Sequence, residues 1–202
     1  MNPVADNNNI QGTIDSSFQT DQRDLFTSGV VAEIGVNAYA VWSAIKYHAD
    51  FTTGQCWPGM RKLGELVGLS KSSIDRAVTT LTKAHMLKIV RGGTKTRGQT
   101  YIARERLSVR IGSRVVCVIV MDYIPNKLRG RIEQVKSALM DPGTSQEIFA
   151  DIEILPGNGF EWDREACVLR GQIGSSEMTP ENDTSQRLIE EAIVKRITPP
   201  KK

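Results

Sequence analysis

Two short helical segments meet at Gly68-Leu69-Ser70, and no other stretch of the chain narrows the possible folds as much. On the amino-terminal side, Pro58 suits the start of a helix, because the N–H it lacks is one that a helix start leaves unpaired anyway. Leu63, Leu66 and Val67 follow as the buried positions of that helix. On the other side, the Ser70 hydroxyl can accept from a free backbone N–H of the next turn, which makes it the N-cap of a helix opened by Lys71, Ser72 and Ser73. Ile74, Ala77, Val78 and Leu81 form an apolar stripe. The opposite face is left to Lys71, Ser72, Ser73, Asp75, Arg76, Thr79, Thr80 and Lys83.

What flanks this pair gives it a context. From Val36 to Ala49, the positions Ala40, Val41, Ala44, Ile45 and His48 recur at helical spacing, with Tyr39, Trp42 and Tyr47 adding bulk, so a helix precedes it. Thr53-Gly54-Gln55 is a turn. After the pair, Leu87 to Arg91 reads as a strand and Thr100 to Arg104 as its return, while Gly92, Gly93 and Gly98 permit a hairpin tip from which Lys95 and Arg97 project. This order predicts a winged helix-turn-helix over residues 28–107. Such a unit offers one helix to a DNA groove and a basic loop to the backbone beside it. The expected contacts are Lys71, Ser72, Ser73, Arg76, Thr79, Thr80 and Lys83 in the major groove, Arg61 and Lys62 on the backbone, and Lys95 and Arg97 on phosphate or minor groove.

The tip admits two other readings. A phosphate loop over Gly93 to Thr100 fails twice, because Gln99 occupies the lysine position and the segment leads into the strand-like Tyr101-Ile102-Ala103 rather than a helix. Arg91-Gly92-Gly93 is a single RNA-binding-type triplet inside a hairpin.

Charge points the same way. Residues 36–110 hold thirteen Lys/Arg against four Asp/Glu, whereas residues 1–35 hold one against five and residues 111–202 twelve against fourteen. The formal net charge of +3 therefore hides a strongly basic segment coincident with the helix pair. Positive charge gathered there favours approach to a phosphate backbone, largely through counterion release. A solvated basic surface is the plainer alternative, and it does not account for charge, pattern and position coinciding.

Residues 36 to about 104 resemble the helix-turn-helix domains of bacterial plasmid and phage replication initiators and related regulators. The resemblance rests on Trp57-Pro58, on Leu63-Gly64-Glu65-Leu66-Val67-Gly68-Leu69-Ser70, and on Ile74, Leu81 and Leu87. The chain departs from that pattern at Gly64, where Ala is usual, and at His85, where Gly is usual before the strand. The resemblance implies sequence-specific binding of double-stranded DNA in replication initiation, with host replication proteins as further partners. A transcriptional repressor of the same mobile element and a protein-interaction adaptor are the competing roles.

Beyond residue 107 the expectation is a small α+β domain over 108–175 with the order β-α-β-β, giving an α+β chain overall. The β-branched run Val115-Val116-Cys117-Val118-Ile119-Val120 reads as a buried strand. Asn126 caps a helix running to Met140 with Leu128, Ile132, Val135 and Leu139 inward. Phe149 to Leu155 alternates as a strand, and Cys167 to Ile173 supplies another. This domain is expected to form a homodimer, because paired half-sites are the common way for a small reader to gain affinity. Residues 1–27 read as a disordered, acidic arm and 176–202 as a linker and a terminal helix through Leu188, Ala192, Ile193 and Ile197.

Few residues suggest chemistry. Asp122, Asp151 and Glu153 are conceivable as a Mg²⁺-binding carboxylate set, although acids on the solvent face of an edge strand are the commoner case. With only His48 and His85 there is no His-x-His cluster, which leaves Tyr123 without a metal to make it a nucleophile. His48 and Cys56 read as packing residues. No enzyme activity, cofactor or metal is expected. Three dispersed cysteines, the absence of a run of roughly 18 apolar residues and the lack of a signal-like start suggest a reducing, cytoplasmic location without membrane insertion.

Overall fold

The computed structural model describes residues 19–91, 98–140 and 147–171. The chain is a mixed α+β fold with antiparallel sheets. Three helices open it: α1 (Asp24–Thr27), α2 (Val30–Ile34) and α3 (Val36–Tyr47). A short strand β1 (Gln55–Cys56) precedes α4 (Met60–Val67) and α5 (Lys71–Lys83). Then come β2 (Leu87–Arg91), β3 (Thr100–Ile111), β4 (Arg114–Asp122), α6 (Leu128–Met140), β5 (Glu153–Pro156), β6 (Phe160–Asp163) and β7 (Val168–Gly171).

β3 is the spine of the sheet. Its first residues pair with both β1 and β2, Gln55 lying opposite Ile102 and Leu87 opposite Ala103, and its remainder pairs with β4 from Arg104/Asp122 to Ile111/Arg114. β5 adds to β4 with Ile154 opposite Ile119. Two helix side chains satisfy β3 backbone groups: Asp24 Oδ2 accepts the Ser108 N–H at 2.7 Å, and the Trp42 Nε1–H donates to the Arg104 carbonyl at 3.2 Å. Strand groups left without a ladder partner need such bonds when the helices exclude water.

Several expectations are corrected. The boundary placed at residues 107/108 falls inside β3, and the buried residues of the helices, of β4 and of α6 form one continuous core, from Leu25 through Trp42, Ile74 and Tyr101 to Val116, Val135 and Leu169. A strand of 12 residues carries the core across, so the two regions are not separately cored. The arm expected over 1–27 is ordered from residue 19, because Leu25 is fully buried and Asp21 pairs with Lys46. α3 is rolled relative to its expected face: Trp42 and Lys46 are buried, while Ala40 and His48 are only half-buried. In α4 Leu63 is buried, Val67 is half-buried and Leu66 is exposed.

The β-α-β-β order becomes β4, α6, β5 and a separate β6–β7 hairpin. Phe149 and Ile152 are buried, but from a turn in which the Ile152 N–H donates to the Phe149 carbonyl at 3.3 Å, and the strand starts only at Glu153. Alternate-looking apolar residues there have turn spacing, not strand spacing. The four residues of β6 are too short to announce themselves. Inward residues of α6 are Leu128, Val135 and Ala138, with Ile132 and Leu139 packed at the margin. The segment 184–197 lies outside the described residues. Among the described residues no helix is long and apolar enough to cross a membrane.

Candidate nucleic-acid interface

The α4–α5 pair is set by two glycines and a serine. Gly68 closes α4 in the left-handed region at φ 70°, a conformation that costs a residue with a side chain roughly 1–2 kcal/mol. The chain then folds back so that the Leu69 N–H donates to the Gly64 carbonyl at 3.0 Å. At Gly64 a Cβ would lie 2.6 Å from the Leu69 carbonyl oxygen, so the turn approaches α4 more closely than any side chain allows. Ser70 caps α5 as expected, its Oγ accepting the Ser73 N–H at 3.2 Å. The stripe Ile74, Ala77, Val78 and Leu81 is buried in full, and α5 packs on α3 and α4.

With that stripe fixed, the helical repeat decides what is outward. Ser72, Arg76, Thr79 and Lys83 run along the middle of the outer face, Lys71 and Asp75 lie on one flank, and Ser73 and Thr80, both half-buried, on the other. No apolar side chain interrupts it. Arg76 folds back along its own helix, Nε donating to the Ser72 carbonyl and Nη2 to Ser73 Oγ, each at 3.4 Å. Thr79 Oγ1 donates to the Asp75 carbonyl at 3.0 Å, which leaves its lone pairs outward. Arg61 on α4 is 93% exposed and drawn to Glu65 at 3.5 Å. Lys62 stands near His48, whose pKa is lowered first by burial and then by that positive charge. Lys95 and Arg97 lie outside the described residues.

Composition hid one exposed residue of this region. Trp57, just before α4 and part of the Trp57-Pro58 pair, is 69% exposed. Cys56 behaves as a core filler: it is buried, and burial pushes its thiol up to about 12.

The exit from α5 is built on an ion network. His85 adopts φ 59°, the left-handed conformation for which Gly is usual, so the turn is kept and a side chain is gained. That side chain meets Glu153 through Nδ1 at 2.8 Å. Glu153 also receives Arg104 Nη1 at 2.6 Å, and Arg104 Nε lies 3.2 Å from Asp122, which Lys88 reaches at 3.3 Å. Partial burial raises the Glu153 pKa, but the hydrogen bond and charge of Arg104, with His85, outweigh it and hold the carboxyl below its ordinary value.

These contacts bear on the metal reading. Asp122 and Glu153 are brought together, but by Arg104, and Asp151 lies in the turn before β5 rather than on the strand. Among the described residues no cluster of His, Cys, Asp and Glu is arranged to hold a metal ion. Tyr123 is buried with its ring 4.4 Å from Lys46 Nζ.

Comparison with protein-family models, with curated proteins and with solved structures found no match.

Proposed function

We propose that the chain is a winged helix-turn-helix protein that binds double-stranded DNA by sequence, with α5 as the helix that enters the major groove. The observation that carries this reading is the outer face of α5, where Ser72, Arg76, Thr79 and Lys83 form an unbroken polar and basic line, within a segment of thirteen Lys/Arg to four Asp/Glu. Short hydroxyls near a helix start suit phosphates and base edges, and an arginine one turn on has the reach and fork geometry for guanine. β2 and the start of β3 pair antiparallel, and the sequence between them, which carries Lys95 and Arg97, has the basic character that a wing requires.

Within this reading the biological role is initiation of replication of a plasmid or phage, with a homodimer as the form that occupies paired half-sites and host replication proteins as partners. Purified protein incubated with fragments of its source replicon at about 150 mM salt, where nonspecific phosphate binding is suppressed, tests both levels. Recovery of one short site repeated near an origin supports initiation. A palindrome over the gene's own promoter moves the role to repression, and recovery of no preferred fragment overturns DNA reading.

A further inference from the structure

The ion network at the end of α5 forms one wall of a cleft of about 710 Å³ lined by the sheet, by α6, by the turn before β5 and by β6. That volume is in the range of small-molecule sites. Its charges are unevenly matched. Two of its carboxylates, Asp122 and Glu153, are occupied by Arg104, Lys88 and His85. The third, Asp151, is 81% exposed and comes no nearer than 3.9 Å to Arg131, whose own side chain is only 22% exposed. Arg131 thus enters the cleft as a half-buried guanidinium whose carboxylate partner stands at 3.9 Å, which leaves N–H donors for an anion.

The remaining wall fixes what kind of anion. Trp162 lines the cleft, half-buried and braced edge-on by Phe149 at 5.7 Å, together with Ile152 and Ile154, and Arg164 lines it too. A braced indole next to aliphatic side chains accepts a planar ring by stacking, and a guanidinium presents the paired N–H groups that a phosphate takes bidentately. We propose that this cleft binds a nucleoside monophosphate, with phosphate on Arg131 and Arg164 and the base against Trp162. An inorganic anion leaves the indole uncovered, and a neutral aromatic offers Arg131 and Arg164 no anion. The site stands apart from the reading of α5, because none of these groups lies on that helix.

The 202-residue protein carrying Trp57→Phe, which removes the exposed indole and keeps the buried Trp42 and the half-buried Trp162, is titrated with AMP, GMP, CMP, UMP and inorganic phosphate while tryptophan emission is followed. The expected result is saturable quenching by at least one nucleotide below about 1 mM, with inorganic phosphate at least about tenfold weaker. Arg131→Gln weakens that binding by about tenfold or more, and Trp162→Phe abolishes the quench. Arg164→Gln, at an exposed position, gives the same direction of effect if Arg131→Gln does not fold. No saturable binding of any nucleotide by fluorescence or calorimetry overturns the proposal, as does phosphate binding as tightly as the nucleotides.

Discussion

Lys46 Nζ lies 2.8 Å from Glu105 Oε1, and neither side chain has any exposure to water. The same ammonium meets Asp21 at 2.8 Å and the Thr20 carbonyl at 2.6 Å, and sits 4.2 Å and 4.4 Å from the ring centres of Trp42 and Tyr123. Asp21 also accepts the Tyr39 hydroxyl at 2.8 Å. One cation thus ties the segment before α1 to α3 and β3. Burial pushes the Glu105 pKa up, Lys46 pulls it back through its charge and hydrogen bond, and Asp21 adds to the rise.

Removing only the cation leaves Glu105 buried and uncompensated. Lys46→Met is expected to cost about 3–5 kcal/mol, measured by urea unfolding. Adding Glu105→Gln is expected to recover a large part of that loss, because the desolvated charge is gone. Strictly additive losses would show that the pair does not act as a unit.

This cluster also marks the limit of what the sequence shows. Helix α5 is legible residue by residue, because Ser70, Ile74, Ala77, Val78 and Leu81 follow local rules of capping and periodicity and their burial obeys them. Lys46, Glu105 and Asp21 do not: each looks like a surface charge, and only partners 25 and 59 residues away from Lys46 make burial tolerable. The same applies to Asp122, Glu153 and Arg104, whose pairing depends on sheet register and so reads from sequence as loose acids. At Gly64 and His85 departures from the resembled pattern are visible in the sequence, but not that one makes room for the Leu69 carbonyl and the other keeps a left-handed turn.

Gly64→Ala should be destabilising despite alanine's helix propensity. The gain from replacing a mid-helix glycine is about 1 kcal/mol. Against it, the new Cβ would stand 2.6 Å from a backbone carbonyl held in the turn, and such overpacking costs about 1–3 kcal/mol. A net loss and a lowered melting temperature are expected. A rise in melting temperature would mean that the α4–α5 turn yields freely.

Glu153 gives a defined acid dependence. Its folded pKa lies below the ordinary 4.5, so its contribution is complete above that pH and is lost as pH falls through the folded value. The groups facing it are Arg104 and His85. Glu153→Gln should therefore lower stability near neutral pH, and that difference should shrink as pH falls through the folded value. A wild-type advantage that persists unchanged at the acid end would show that the carboxylate is not what the contacts stabilise.

Arg76 and Lys83 separate reading a sequence from holding a backbone. Among the described residues Arg76 is fastened by two 3.4 Å contacts to Ser72 and Ser73, so the proposed groove contact requires little to be broken, and Arg76→Ala should change stability by no more than about 0.5 kcal/mol. On DNA the same variant should lose about 1–3 kcal/mol of discrimination at one base pair. Lys83→Ala, at the far end of the face, should weaken all sequences alike and lower the salt dependence by about one unit. Competition binding with single-base variants of the selected site, repeated at two salt concentrations, measures both. If Arg76→Ala lowers affinity uniformly, arginine is a phosphate contact and the bases are read elsewhere on α5; if neither variant changes binding, α5 does not face DNA.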